Sequence, residues 1–152
     1  MINYKLYLGA DHRGFELKEA LRAWLVSENY QIEDMGAVVY DPADDYPDYA
    51  LKVAQKVVGD PNGRGILLCG SGVGVDMVAN KIDGIRSGIG LNPEQVISAR
   101  VDDNINVLVI ATDYTEEEKA KKMVEVFLTT DFSGEPRFTD RLQKVSEIEK
   151  KN

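Results

Sequence analysis

The sequence predicts an α/β protein, a three-layer α/β/α sandwich with a five-stranded parallel, Rossmann-like sheet. Short apolar segments alternate along the chain with longer segments whose apolar residues recur at helical spacing, which is typical of a parallel sheet with helices on both faces. The segment at residues 66–68 is apolar throughout and is bounded by glycines, as in a strand buried on both sides. The chain has 152 residues and no repeat or linker, so one domain over residues 1–152 is expected.

The first half of the chain contains three predicted strands, each followed by a predicted helix. The strands are expected at residues 4–10, 32–35 and 66–68. The first two helices show apolar stripes, formed by Leu17, Leu21, Trp24 and Leu25 and then by Ala50, Val53, Ala54 and Val57. Residues 38–47 are expected to form a polar loop, and the third helix is expected at residues 75–81.

The second half predicts two further strands, at residues 85–90 and 106–111. Asn92 before Pro93 predicts a helix that starts there and runs to about Arg100, followed by a turn at residues 100–104. Thr115 opens a predicted capping box, and an apolar stripe from Ala120 to Leu128 follows it. A last helix is expected at residues 138–150.

Composition and charge exclude several classes of function. The net charge of −8 argues against non-specific nucleic-acid binding, which needs a basic surface. One cysteine excludes an internal disulfide, and one histidine makes a His/Cys metal site improbable, so no metal is expected. No signal peptide and no apolar stretch long enough to span a membrane is found, so a soluble, cytoplasmic protein is expected.

The only cysteine, Cys69, ends the third predicted strand, directly before a glycine-rich loop. That loop consists of Gly70, Ser71, Gly72, Val73 and Gly74. Its backbone amides and the following helix N-terminus suit a small anion, a thiolate or a developing oxyanion. An acid/base cysteine beside such a loop suits proton abstraction next to a carbonyl. The alternative is a small buried hydrophobic residue.

The glycine pattern does not match a dinucleotide fingerprint, because Val75 stands where the third glycine is required. A nucleotide-dependent oxidoreductase is therefore disfavoured. Asp76, in the first turn of the following helix, suits the helix dipole and is the next candidate base after Cys69.

Other candidate residues lie outside this loop. Asp11 and His12 follow the first strand, whose carboxyl end is where ligands bind in such sheets. Arg137 and Arg141 are one helical turn apart and can clamp a phosphate, especially across a dimer interface, or can form a solvated basic edge. Asp102 and Asp103 can cap a helix, bind water or face the site.

Several motifs in order along the chain resemble the family of ribose-5-phosphate isomerase B and the galactose-6-phosphate isomerase subunits. They are residues 9–15, 45–50, 65–74 with 79–81 and 84–86, 106–108, and 132–134 with Arg137 and Arg141. The resemblance implies metal-independent, cofactor-free aldose–ketose isomerisation of a phosphorylated sugar through an enediolate. It also implies a homodimer or tetramer with sites at the subunit interface and a C-terminal helix that extends to the partner subunit.

The resemblance further implies a role for each candidate residue. Cys69 would move the proton between C1 and C2, and residues 70–74 would hold the enediolate. Asp11 would bind sugar hydroxyls, and His12, Arg137 and Arg141 would bind phosphate, some of them from the partner.

The sequence departs from the family pattern at two histidine positions. Asp102 and Asp103 stand where the family usually has His-Asn, and Phe138 stands where a second histidine is usual. Either Asp102 replaces the ring-opening histidine, or the ring opens without help and the substrate is bulkier or already open. A catalytically silent phosphosugar-binding protein is the alternative function.

Overall fold

The computed structural model describes residues 4–152, which form a single five-stranded sheet between two layers of helices. All neighbouring strands are parallel, and their order across the sheet is β2-β1-β3-β5-β4. The strands are β1 (Lys5–Ala10), β2 (Gln31–Asp34), β3 (Gly63–Cys69), β4 (Ser87–Ile89) and β5 (Val107–Ala111). The helices are α1 (Phe15–Ser27), α2 (Tyr46–Val58), α3 (Val73–Ala79), α4 (Pro93–Asp103), α5 (Glu117–Thr129) and α6 (Pro136–Glu149). The predicted α/β sandwich is confirmed.

Successive residues of the central strands pack alternately into two hydrophobic cores, one on each face of the sheet. Ile66 and Leu68 of β3 pack on the face covered by α1, α4 and α5. Leu67 and Cys69 of the same strand pack on the face covered by α2 and α3. Because β3 is buried on both faces, its sequence is apolar throughout rather than alternating, as expected for a parallel sheet.

The carboxyl ends of β1 and β3 lie side by side at the point where the chain changes the direction in which it adds strands: β2 lies on one side of this pair, and β5 and β4 lie on the other. These two strands pair in register, with Ala10 opposite Leu68. After β1 the chain enters α1 on one face, and after β3 it enters α3 on the opposite face. The loops therefore diverge and leave a crevice between them, which is where open α/β sheets bind ligands.

Several predicted bounds differ from the structure. Strand β3 begins at Gly63 instead of residue 66, β4 covers only Ser87–Ile89 of the predicted 85–90, α2 begins at Tyr46 within the predicted loop, and α6 begins at Pro136 instead of residue 138. Helix α3 begins at Val73, two residues before its predicted start, and α4 continues to Asp103 instead of ending near Arg100. Asn104, at φ 48°, ends α4 in the left-handed conformation, and its Oδ1 accepts a hydrogen bond from Arg100 Nη1 at 2.9 Å. The predicted capping box is absent, because Glu116 precedes α5 and makes no side-chain cap.

Within residues 4–152, no helix is both long enough and apolar enough to cross a membrane.

Candidate active site

The carboxyl edge of the sheet brings together most of the residues predicted to act on a ligand. Asp11 and His12 directly follow β1, and residues 70–74 directly follow Cys69 at the end of β3. Because β1 and β3 are neighbours, these two groups line the same crevice. The expectation that they share one edge of the sheet is therefore met.

Cys69 lies at the end of β3 and is only 4% exposed. Its side chain belongs to the apolar cluster between the sheet and helices α2 and α3, together with Val75 and Val109. Its backbone carbonyl lies 3.2 Å from Thr112 Oγ1, which is a hydrogen-bond donor. In a single chain the Cys69 side chain therefore has the burial of a structural cysteine.

The glycine loop turns sharply into α3 at Gly72, whose φ of 76° lies in the left-handed region. The amide of Val73 donates to Ser71 Oγ at 3.3 Å, and the amide of Asp76 donates to the carbonyl of Gly72 at 3.2 Å. The first amides of α3 are thus turned toward the carboxyl edge, where an anion can accept hydrogen bonds from a helix N-terminus.

Asp11 is buried and closes the turn between β1 and α1. Its Oδ1 accepts hydrogen bonds from the backbone amides of Arg13 at 3.0 Å and Gly14 at 3.1 Å. These bonds fix the carboxylate at the bottom of the crevice, and only Oδ1 takes part in them. Asp11 therefore has a structural role in addition to its predicted contact with sugar hydroxyls.

His12 is held by a carboxylate that the sequence interpretation did not select. Its ring nitrogen Nδ1 lies 2.8 Å from Asp44 Oδ1, and its backbone amide donates to the same oxygen at 2.9 Å. The side chain of His12 is 29% exposed and that of Asp44 is 6% exposed. Asp44 belongs to a loop with several aspartates, so nothing in the sequence distinguishes it from Asp41 or Asp45.

A second group missed by the sequence interpretation clamps the glycine loop from the side of β5. The guanidinium of Arg13 lies against Gly70, where any β-carbon would collide with it, and it forms an ion pair with Asp113. The Asp113 amide donates to the carbonyl of Gly70 at 3.0 Å, and Thr112 Oγ1 lies 3.0 Å from the carbonyl of Arg13. Thr112 and Asp113 directly follow β5, and this position after a predicted strand is the sequence signal that could have identified them as site residues.

Asp76 faces Ser87 rather than solvent. Its Oδ1 accepts a hydrogen bond from Ser87 Oγ at 2.7 Å. Burial raises the pKa of the Asp76 carboxyl above its usual value, although the bond from Ser87 opposes this shift. Burial therefore has a larger effect on this pKa than the hydrogen bond from Ser87.

The remaining predicted residues lie at the opposite, amino-terminal edge of the sheet. Asp102 and Asp103 occupy the last turn of α4, which leads into the start of β5, so the turn predicted for them is helical. Next to them, the carbonyl of Asn104 accepts a bond from Arg86 Nε at 2.8 Å, just before β4 begins. Neither aspartate is brought to Cys69 within one chain.

Arg137 and Arg141 lie at the same amino-terminal edge. Both are in the first turns of α6, and their guanidinium carbons are 5.5 and 5.6 Å from the centre of the Phe138 ring. The segment before α6 is attached to the end of α4 by the Ser133 amide, which donates to the Val101 carbonyl at 3.1 Å. The predicted pairing of the two arginines on one helix is confirmed, but a single chain keeps them away from the crevice.

No group of three or more His, Cys, Asp or Glu side chains in residues 4–152 is arranged to hold a metal ion. The chemistry available at the carboxyl edge is therefore that of a thiol, backbone amides, a carboxylate and an imidazole.

Comparison with known proteins identifies relatives along nearly the whole chain. Residues 6–145 match the family described as Ribose/Galactose Isomerase. The chain is 38% identical over 149 residues to the probable ribose-5-phosphate isomerase B of Mycoplasma pneumoniae, covering 98% of this chain and 97% of that protein. It is 37% identical over 146 residues to ribose-5-phosphate isomerase B of Mycolicibacterium paratuberculosis, covering 96% and 92%. The crystal structure of ribose-5-phosphate isomerase B from Mycoplasma genitalium with bound ribulose 5-phosphate matches with a TM-score of 0.94, 33% identity and 100% coverage of both chains.

Proposed function

The chain belongs to the ribose/galactose isomerase family, and we propose that it interconverts ribose 5-phosphate and ribulose 5-phosphate through an enediolate. One observation carries the choice of substrate. The fold matches, over its full length and with a TM-score of 0.94, a relative whose crystal structure holds ribulose 5-phosphate. The relatives are named as isomerases, which favours an enzyme over a catalytically silent binding protein.

In the proposed reaction the Cys69 thiolate removes the proton from C2 of the open-chain aldose. The electrons of the C2–H bond form a double bond between C1 and C2, the electrons of the C1 carbonyl move onto its oxygen, and an enediolate with its negative charge on that oxygen results. The C1 oxygen then takes up the proton that the C2 hydroxyl gives up. The C2 hydroxyl loses its proton and becomes the new carbonyl, while the Cys69 thiol returns its proton to C1. The reaction exchanges only protons, so it needs no redox cofactor, and we assign no metal ion to it.

The carboxyl edge supplies the other groups of the proposed site. The backbone amides of residues 70–74 and the hydroxyl of Ser71 hold the enediolate; the position of this loop at the start of α3, where hydrogen-bond donors favour negative charge, supports this role. Asp11 binds sugar hydroxyls, and His12 binds the phosphate at the exposed side of the crevice. The lone thiol at the end of β3 agrees with a reducing, cytoplasmic location.

A second copy of the chain completes the proposed site. Arg137 and Arg141 lie at the amino-terminal edge, so they reach a crevice only in a neighbouring chain. Helix α6 has no buried residue within the described chain, and its Val145 and Ile148 are 44% and 61% exposed. We propose that α6 extends over a partner in a homodimer or tetramer. In this arrangement the end of α4, with Asp102 and Asp103, and the start of α6, with the two arginines, lie next to that partner's Cys69.

The proposed reaction is tested with the purified protein and three aldose phosphates: ribose 5-phosphate, allose 6-phosphate and galactose 6-phosphate. We expect ketose formation, fastest from ribose 5-phosphate, and at most one deuterium at C1 of the product in D2O, incorporated to the extent that the Cys69 thiol exchanges with solvent before it returns a proton to C1. Cys69→Ser should lower kcat by about 100-fold or more, because the hydroxyl is a far weaker base than the thiolate. Calorimetry should show ribose 5-phosphate binding close to that of the wild type.

Asp76→Asn is the matched comparison, since it changes the other candidate base. We expect it to keep kcat within about threefold of the wild type, as removal of a group outside the proton transfer should. A full rate in Cys69→Ser together with a large loss in Asp76→Asn would move the base to Asp76. Phosphosugar binding without turnover of any of the three substrates would reject the isomerase.

A further inference from the structure

The only histidine of the chain is anchored on one side and free on the other. Nδ1 of His12 contacts Asp44 Oδ1 at 2.8 Å, and its backbone amide donates to the same oxygen. A carboxylate can only accept, so Nδ1 carries a hydrogen. In residues 4–152 no hydrogen bond reaches the second ring nitrogen, Nε2, and about a third of the side chain is exposed.

The carboxylate of Asp44 makes its ion-pair contact with His12. Its side chain is 6% exposed, and His12 is the only basic side chain within ion-pair distance of it among the described residues. Its second oxygen, Oδ2, is buried and makes no hydrogen bond in the part of the chain that the structure describes. Burial first, and then the negative charge of Asp44 and its hydrogen-bonding interaction with Tyr49, raise the pKa of the Tyr49 hydroxyl, so Tyr49 faces the same carboxylate as His12.

The other charged groups around this part of the crevice are already engaged. The Asp11 carboxylate accepts the amides of Arg13 and Gly14, and the Arg13 guanidinium is paired with Asp113. Asp41 and Asp48 raise the pKa of Tyr49 less than Asp44 does. Asp44 is therefore the group that sets the orientation of the imidazole.

We propose that Asp44 is a positioning residue for substrate binding: it holds His12 with Nδ1 against the carboxylate and leaves Nε2 to donate a hydrogen bond to the substrate phosphate. The inference rests on the proposed function, because the ligand is taken to be a phosphosugar. A ring placed between a carboxylate and a phosphate carries both protons, since each anion stabilises the imidazolium. Without Asp44 the ring can rotate and can adopt the other tautomer.

The single histidine makes a direct test possible, because histidine labelled with 15N gives the signals of one imidazole. In the free wild-type protein we expect the nitrogen shifts of a ring that is protonated and fixed at Nδ1. Addition of ribose 5-phosphate at one fixed pH near neutrality should move both nitrogens to the values of a doubly protonated ring. In Asp44→Asn the ring should show a mixture of tautomers when free and should not become fully protonated with ligand.

Kinetics separate this positioning role from a merely structural one. Asp44→Asn should raise KM for ribose 5-phosphate about tenfold, as expected for the loss of one charge-assisted hydrogen bond, and should change kcat less than about twofold. Asp45→Asn is the matched control, because it removes the same charge at the next residue, whose side chain is exposed and caps nothing. It should leave KM and the imidazole signals unchanged.

A double-mutant cycle with His12→Asn decides whether Asp44 acts through the histidine. If it does, Asp44→Asn has no further effect on KM in the His12→Asn background. An equal rise in KM in both backgrounds, or unchanged imidazole signals in Asp44→Asn, would overturn the inference. A wild-type chain that binds ribose 5-phosphate and protonates His12 without converting it would support the inference and reject the proposed function.

Discussion

Lys18 shows how a single residue stabilises the carboxyl edge. Its side chain is fully buried, and its Nζ lies 2.5 Å from Asp34 Oδ2 and 2.9 Å from Glu19 Oε1. The other oxygen of Asp34 accepts the amide of Gly36 at 2.9 Å. The buried ion pair therefore connects α1 to the end of β2.

Removal of the charge of Asp34 should strongly destabilise the fold. Asp34→Asn keeps the shape and the acceptor for Gly36 but leaves a buried ammonium without its shorter contact. We expect the free energy of unfolding in urea to fall by about 3 kcal/mol. Glu33→Gln is the control on the neighbouring residue of the same strand. It should cost much less, because Glu33 pairs with the exposed Lys5 and Lys56.

The double variant Lys18→Met with Asp34→Asn tests the physical cause. It removes the buried charge together with its partner, so it should recover most of the stability lost in Asp34→Asn. No recovery would mean that the loss comes from packing in the loop and not from an uncompensated charge.

The sequence predicted individual site residues where a strand end or a motif pointed to them. Asp11, His12 and Cys69 each end a predicted strand, and the structure places all three at one edge. Asp44 and Arg13 act through contacts with residues 32 and 100 positions away along the chain. Only the folded chain creates these contacts, so no local pattern identifies them.

At the scale of elements, all five strands and six helices follow the predicted order. The failure at Thr115 has a tertiary cause. Residues 112–114 form a 3-10 turn, and the amide of Asp113 donates to the carbonyl of Gly70 in the loop after β3. The chain leaves this turn in an extended conformation at Thr115, so α5 starts two residues later. A long-range contact overrides the local capping signal here.

The turn from β3 into α3 should depend on the left-handed conformation of Gly72. Gly72→Ala forces a side chain into that region and places its β-carbon 3.1 Å from Val109 Cγ1. We expect unfolding in urea to show a loss of about 1–2 kcal/mol. Because the altered turn would move the amides of residues 70–74, which are proposed to hold the enediolate, kcat should fall as well.

Gly88→Ala in β4 is the matched control for this prediction. Its new β-carbon would be 3.8 Å from Ile105 Cγ2, an ordinary packing distance, and its φ is not positive. Stability and kcat should therefore stay near those of the wild type. Equal losses in both variants would show that any added methyl group in the sheet region is harmful and that the turn at Gly72 has no special role.

At the scale of the whole molecule, the predicted site is divided between two opposite edges of the sheet. The alternation of strands and helices in the sequence correctly places the groups that follow β1 and β3 at the carboxyl edge. The edge reached by α6 could not be predicted, because no strand follows this helix to fix its direction. Its position depends on two long-range hydrogen-bond contacts, from Ser133 to Val101 and from Gly84 to Glu149.

The divided site predicts that two inactive variants complement each other. Cys69→Ser lacks the proposed base, and the double variant Arg137→Ala with Arg141→Ala lacks the proposed phosphate contacts. In a mixed dimer one site carries all the changes and the other carries none. After equal amounts are mixed, denatured and refolded, about a quarter of the wild-type rate should return, because half of the dimers are mixed and half of their sites are intact.

Separate affinity tags on the two variants provide the control for complementation. Material purified through both tags in succession contains only mixed assemblies, and it should have about half of the wild-type rate. Mixed assemblies that form but remain inactive would show that the arginines serve the site of their own chain.

The two outer strands of the sheet limit how copies of the chain associate. Strand β4 spans three residues and β2 spans four, and β2 includes the charged residues Glu33 and Asp34. A neighbouring chain that tried to continue the sheet would find few free backbone groups and would have to desolvate carboxylates at β2. Growth of the sheet from one molecule into the next is therefore blocked at both ends, and this disfavours fibre formation even in concentrated solution.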